Sequence, residues 1–332
     1  MKPAVWSIPR VQETLAEMTC CRSYVRILVV GLVLFVGSAG RAALAVPAVA
    51  VSIKPVHALV AGVMAGIGTP ELVIVGAGTP HGAALKPSQS RIMRNADIVF
   101  WVGPELETGL AKSLSRRGAR LKTVALSRAE GVLRLKLRLG GTWPTMPSGD
   151  GAMAPGGSGA FDPHIWLSPA NAVAMVRAIA DTLAGSDPAN AVRYEANAEA
   201  LRRRLRRLDG ALDELLAPVR TVPYMVFHDA YQYFERHYRL AAAGALAVNP
   251  ERKPGARRIL EARRLLREAR VRCLFGEPQY APALVSALVR GTNVRTAMLD
   301  PLGAGIATGP DAYFIMMRNL AAALKSCLAR AP

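Results

Sequence analysis

Five histidines carry most of the chemistry this sequence can offer: His57, His81, His164, His228 and His237. Four of them stand where a β-like run gives way to a turn or a helix start, the edge at which open α/β sheets bind ligands. His81 lies in Gly78-Thr79-Pro80-His81-Gly82, His164 in Asp162-Pro163-His164-Ile165-Trp166-Leu167, and His228 in Met225-Val226-Phe227-His228-Asp229-Ala230. Pro and Gly beside the first two, and Asp229 as a helix cap after the third, restrict where each ring can go. Neutral imidazole is the commonest metal ligand in proteins. Three of them plus a carboxylate or water complete a tetrahedral zinc site with Zn to N distances of about 2.0 to 2.1 Å. Nitrogen and oxygen without thiolate suit zinc, and less selectively manganese or iron. Because each ligand must be neutral, a site of ordinary imidazoles loses affinity as pH falls through about 6.5. His237, in Phe234-Glu235-Arg236-His237-Tyr238, reads instead as a cation at a helix C-terminus, and any single histidine could equally be a hydrogen-bonded structural residue.

The fourth coordination position has three candidates. Asp300, in Met298-Leu299-Asp300-Pro301, puts a carboxylate at the exit of a strand on the same edge as His228, and its competing role is to cap the turn at Pro301. Glu277 and water are the others. Three histidines with an open position could also activate water in a hydrolytic enzyme. Against that reading, no general base stands at a fixed short offset from a ligand, as the Glu does in H-E-x-x-H. Neither G-x-G-x-x-G nor G-x-x-x-x-G-K-[ST] follows any β-like run, so nucleotide chemistry has no support.

The elements that must position these residues alternate. A β-like run over Ala48 to Ile53 leads into a helical stretch from His57 to Ala65. Further β-like runs at Leu72 to Val75 and Ile98 to Val102 flank a helix-compatible segment, Ser88 to Ala96. The alternation restarts after Pro223. It runs through Tyr224 to Phe227, Ala242 to Val248, Arg272 to Phe275 and Val294 to Leu299, with helices between, and ends in an apolar helix from Tyr313 to Leu328. Strands alternating with helices mean βαβ units and mainly parallel sheets. Between the halves a helical tract of about thirty residues runs from Ala189 to Ala217, with leucines at spacings of three and four, and spans roughly 45 Å. From Gly140 to Phe161 the chain is dense in Gly, Pro, Ser and Ala and reads as a flexible surface loop.

Of the 332 residues, 51% are apolar and 20% charged, which excludes disorder and small disulfide scaffolds and predicts a globular protein. The net charge of +18 raises a nucleic-acid partner. The densest basic run, Arg202-Arg203-Arg204-Leu205-Arg206-Arg207, is interleaved with Glu195, Glu199, Asp209, Asp213 and Glu214. It therefore reads as a solvated helix face, and no nucleic acid is expected. Arg22 and Arg26, the ten-residue apolar run Ile27 to Val36, and Ala43-Leu44-Ala45 stand in the order of a secretory signal peptide. Cleavage near Ala45 would remove five basic and two acidic residues, taking +18 to +15, and no second long apolar stretch follows to span a membrane. Cys20 and Cys21 would leave with the leader. Cys273 and Cys327 would remain as one pair in an oxidising compartment, where a disulfide is expected.

Several segments resemble the zinc-binding subunit of bacterial ABC zinc importers, the ZnuA group. They are Ser52-Ile53-Lys54-Pro55-Val56-His57, Pro80-His81-Gly82-Ala83-Ala84-Leu85-Lys86-Pro87-Ser88 and Asn95-Ala96-Asp97-Ile98-Val99-Phe100-Trp101-Val102-Gly103. So do Asp162 to Pro169, Phe227 to Phe234, Glu277-Pro278-Gln279 and Leu299-Asp300-Pro301-Leu302-Gly303. The matches run in order from about residue 50 to the C-terminus. The resemblance implies two α/β lobes with mainly parallel sheets, joined by one long rigid helix, with the metal in the cleft between them. It also implies a periplasmic receptor, expected to be a monomer and to perform no chemistry, that delivers Zn²⁺ to an ABC permease and its ATPase. A manganese or iron receptor of the same fold is the alternative. His81, His164 and His228 match the group's three ligand histidines, and Cys273 and Cys327 match a disulfide found in part of it. The expected organisation is a signal peptide over 1–45, an N-terminal lobe over 46–187, a linking helix over 188–217 and a C-terminal lobe over 218–332. Two departures stand out. The stretch before His164, where zinc members commonly carry a His- and Asp-rich loop, has no histidine, and Pro80 stands where some members have a Glu.

Overall fold

β-Branched and aromatic runs supply the central strands of two sheets. In the first lobe these are β1 (Val49–Val51), β2 (Glu71–Leu72), β3 (Ile98–Trp101) and β4 (Lys122–Ala125), all parallel in the order β2-β1-β3-β4. In the second lobe β5 (Tyr224–His228), β6 (Ala242–Ala247), β7 (Cys273–Gly276) and β8 (Arg295–Met298) repeat the plan as β6-β5-β7-β8, again parallel. Strands β1, β3, β5, β6 and β7 are buried along their whole length, as strands covered by helices on both faces must be. The computed structural model describes Met1 and residues 46–76, 78–81, 85–116, 121–138, 160–247, 255–280 and 282–329. All but Met1 of the expected leader, and all but the last two residues of the expected loop over 140–161, lie outside the described residues.

Each lobe is a doubly wound unit, and in each the strand order reverses beside its first strand, between β1 and β3 and between β5 and β7. Crevices at the carboxyl ends of strands at such points are where ligands bind. Helix α1 (Lys54–Val63) follows β1 directly, with Pro55 in its first turn, where a missing N–H costs nothing. Helices α2 (Pro87–Asn95) and α3 (Thr108–Leu114) complete the first lobe's crossovers. Three elements are absent from the sequence-based expectation: helix α3, strand β4 and helix α4 (Pro169–Ser186). Strand β4 is an edge strand whose Lys122 and Thr123 are exposed, so its apolar signal is weak. Helix α4 is capped by Ser168, whose Oγ accepts the Asn171 N–H at 3.2 Å.

Helix α5 (Ala191–Leu216) joins the lobes, with a single 3₁₀ turn at each end, Pro188–Asn190 and Ala217–Val219. Its 26 residues span about 39 Å. Tyr194, Ala198, Leu201, Leu205, Leu208, Leu212 and Leu216 form its buried stripe, at the spacing of one helical face. Against this stripe pack α4, α1 and the last helix, α9 (Ala312–Leu328). A Cβ on Gly62 of α1 would fall 2.8 Å from Leu201 Cδ2, so glycine is what lets α1 approach α5 this closely. On the outer face Glu199 pairs with Arg202, Arg203 and Arg206, and Arg204 with Asp311, so four of the run's five arginines have a carboxylate partner. In the second lobe, α6 (Gln232–Tyr238), α7 (Ala256–Glu268) and α8 (Pro282–Val289) cover the sheet.

The two lobes share one core. A continuous set of buried apolar residues includes Val51 and Phe100 of the first sheet, Leu205 and Leu208 of α5, Val226 and Phe275 of the second sheet, and Leu320 of α9. Each sheet also has an outer cluster of its own. A disulfide between Cys273 and Cys327 ties the start of β7 to the end of α9. Among the described residues no helix is long and apolar enough to cross a membrane.

Candidate metal centre

Three side chains converge between the lobes. His228 is the last residue of β5, so its ring leaves the carboxyl edge of the second sheet. His164 enters a 3₁₀ turn, Ile165–Leu167, just before α4. Pro163 fixes the backbone before it, and Asp162 Oδ1 accepts both the His164 N–H at 3.0 Å and the ring Nδ1 at 2.6 Å. Tyr233 of α6 holds this corner in turn, its hydroxyl donating to the Asp162 carbonyl at 2.7 Å and accepting the Leu135 N–H at 3.0 Å. His81 follows the buried Pro80, and its N–H donates to Thr79 Oγ1 at 3.2 Å.

The donor atoms of His81, His164 and His228 all lie within 4.8 Å of one another. Ring centroids are 5.2 Å apart for His81 and His164, 5.3 Å for His81 and His228, and 4.9 Å for His164 and His228. The two Nε2 atoms of His81 and His164 approach to 3.2 Å. Tetrahedral zinc with bonds of about 2.05 Å holds two nitrogens about 3.3 Å apart, so this spacing fits one ion bound by both rings. Both ring nitrogens of His228 are buried without a hydrogen-bond partner, although the residue is only 3% exposed. A buried imidazole left in that state lacks something to bind. Between the rings is a space of about 10 Å³, bounded also by Trp166, Glu277, Tyr280 and Pro301, which is room for one water-sized species.

Electrostatics prepares these rings for a cation. Burial, with the two neighbouring imidazoles adding to it, pushes the His81 pKa down to about 2. Burial likewise takes His164 well below the ordinary range. Both rings are thereby held toward the neutral form, with lone pairs available to a cation. Behind them stand carboxylates. Asp162, itself pushed upward by burial, accepts from His164 Nδ1, which leaves Nε2 as the free lone pair. Glu277 places Oε2 3.5 Å from His228 Nδ1, and its Oε1 is buried with no hydrogen-bond partner. Further out, Arg138 bridges Asp229 and Glu235.

Asp300 does not join this group. Its carboxylate accepts the Leu302 N–H at 3.2 Å, the Ala304 N–H at 2.6 Å and Gln279 Nε2 at 3.1 Å. These contacts are the turn-capping role that competes with the ligand role, since the N–H groups of a tight turn after Pro301 need an acceptor. His57 sits 5% exposed within α1, with Nε2 3.0 Å from the Pro70 carbonyl. His237, near the end of α6, pairs with Asp209 of α5 at 2.7 Å. Asp162 was the functional residue not singled out from the sequence, although an Asp two positions before a candidate ligand is a recognisable signal for a ring-orienting carboxylate.

Two parallel-sheet lobes, a single long joining helix and three histidines at the cleft define a metal solute-binding protein. The pattern of the ZnuA family, described as "Zinc-uptake complex component A periplasmic", matches residues 49–327. The chain is 41% identical over 306 aligned positions to the high-affinity zinc uptake system protein ZnuA of Brucella suis, covering 85% of this chain and 92% of that one. To the protein of the same name from Yersinia pestis it is 37% identical over 294 positions, covering 86% and 92%. A crystal structure of a zinc-bound ZnuA deletion mutant superposes with a TM-score of 0.71 at 25% identity, covering 86% of this chain and 99% of that one. The chain belongs to the ZnuA family.

Proposed function

We propose that this chain is the periplasmic zinc receptor of an ABC-type uptake system. It is exported with its leader cut near Ala45, works as a monomer, holds one Zn²⁺ through His81, His164 and His228, and hands the ion to a membrane permease driven by its ATPase. The carrying observation is the convergence of three imidazole donors within 4.8 Å of one another. Zinc is favoured over manganese or iron because no carboxylate belongs to that donor group and Asp300 is engaged in its own turn. Asp162 accepts a hydrogen bond from Nδ1 of His164, and Glu277 stands 3.5 Å from Nδ1 of His228 without hydrogen-bonding it. There they polarise the imidazoles and offset the cation's charge. Such an arrangement binds and releases an ion without transforming it, which is the reading of a carrier and not an enzyme.

Chelator-competition titration of the exported chain tests this. One zinc per chain is expected, and simultaneous alanine substitution of His81, His164 and His228 should abolish tight binding. If that variant kept the wild-type stoichiometry and affinity, the ligand assignment would be wrong.

A further inference from the structure

The turn after β8 forms the second lobe's lip over the metal pocket, with Pro301 and Leu302 lining it. This lip is gripped from the opposite lobe. Trp166 Nε1 donates to the Pro301 carbonyl at 2.8 Å. Lys54, the first residue of α1, donates from Nζ to the carbonyls of Gly303, Ala304 and Ile306 at 2.7, 2.8 and 2.6 Å. An ammonium has three N–H donors, and here each has its own carbonyl. From within the turn Asp300 accepts the N–H groups of Leu302 and Ala304, so one short segment has its donors held by one side chain and its acceptors by another.

We propose that Lys54 is a positioning residue for the bound metal: by clamping Gly303, Ala304 and Ile306 from the first lobe, it holds Pro301 and Leu302 over the pocket and slows zinc release. The proposal rests on the three-histidine zinc site described above. Its physical basis is the shared core, which links both sheets through α5 and α9 and resists any wide hinge opening. An ion enclosed in so small a space then leaves by local movement of a wall. The lip has no regular secondary structure, whereas the walls carrying His164 and His228 are anchored on a 3₁₀ turn and a strand. Burial of the ammonium lowers its pKa while Asp300 attracts it, so the clasp is formed in a partly dry setting where charge-assisted bonds are strong.

The test is zinc release from the loaded, exported chain, followed by stopped flow into excess chromogenic chelator. Lys54→Met keeps the apolar stem and removes all three bonds. It should release zinc about tenfold faster or more, with one zinc per chain retained and association changed by less than about twofold, since losses of this kind fall on dissociation. Lys54→Arg, which keeps the cation, should recover part of the wild-type rate. Release within about twofold of wild type in Lys54→Met would overturn the proposal, as would an equal change in association and dissociation accompanied by a lower melting temperature of the metal-free protein, which marks a purely structural role. If Lys54→Met does not fold, Lys54→Gln, neutral with two donors, is read by the same criteria. A wild-type chain that fails to bind one zinc would sink the site assignment instead, so the two failures are distinguishable.

Discussion

Replacing Asp162 with asparagine isolates the charge behind the metal site from its geometry. In the folded chain a single carboxylate oxygen, Oδ1, takes both the His164 backbone N–H at 3.0 Å and the ring Nδ1 at 2.6 Å. The amide of the Asp162→Asn variant can present its oxygen at the same place, so the turn and the ring orientation survive while the negative charge is lost. Outer carboxylates of this kind are typically worth about 10- to 100-fold in metal affinity, or about 1.4 to 2.7 kcal/mol. Asp162 is buried and directly bonded to a ligand ring, so the upper half of that range is expected. Competition titration against a chelator of known affinity reads the change, and circular dichroism checks that the fold is kept. A variant whose zinc affinity lies within about twofold of wild type would show that the carboxylate only shapes the turn, and the electrostatic account of the site would fall with it.

The pH dependence of zinc binding should be shallow. Each ordinary imidazole of pKa about 6.5 costs roughly tenfold in affinity between pH 7.5 and 5.5, so three would cost about a thousandfold. His81, pushed down to about 2, and His164, held well below its ordinary range, give protons nothing to compete for in that window. In the Asp162→Asn background, free of the burial-raised carboxyl, a fall of about tenfold or less is expected by titration at the two pH values, and a thousandfold fall would refute the assignment of neutral rings. Breaking the disulfide with Cys327→Ser should lower stability by about 4 kcal/mol, the chain-entropy figure for a 54-residue separation. Urea denaturation of oxidised wild type and variant with equal midpoints would contradict it.

His228 was legible because a parallel sheet offers few places where a polar ring can leave a buried strand, whereas His81 and His164 stand outside the strands, on a loop and at a 3₁₀ turn, and His57 lies within α1. The cysteine pair was legible once the leader was set aside, since one pair remained in an oxidising compartment. Strand β4 escaped because an edge strand needs no apolar face on its open side, and its first two residues are exposed. Helix α4 could have been found. Ala172, Met175, Val176, Ile179, Ala180 and Leu183 follow helical spacing, but the run is short of large apolar residues and starts at a proline. Lys54 could not have been read as a clasp, because its three acceptors are backbone carbonyls about 250 residues away, invisible to side-chain pattern.

Asp300 shows how two demands on one carboxylate are decided. Its place after β8 and before Pro301 suits a ligand, yet its oxygens take two turn N–H groups and a glutamine amide. Moving it onto zinc would leave the Leu302 and Ala304 N–H groups without their acceptor beside the Lys54 clasp, at about 1 to 3 kcal/mol for each one left unpaired. A water molecule bound to the metal on its open side supplies a fourth oxygen without that cost. Asp300→Asn should therefore change zinc affinity by no more than about threefold, because the amide oxygen still accepts a turn N–H and the metal loses no direct ligand. Asp162→Asn, one ring away from the metal, should cost several times more. The same titration ranks the two variants. If Asp300→Asn proved the more damaging by a hundredfold, the carboxylate must swing onto the ion when zinc arrives, and the site would be three histidines and an aspartate instead of three histidines and solvent.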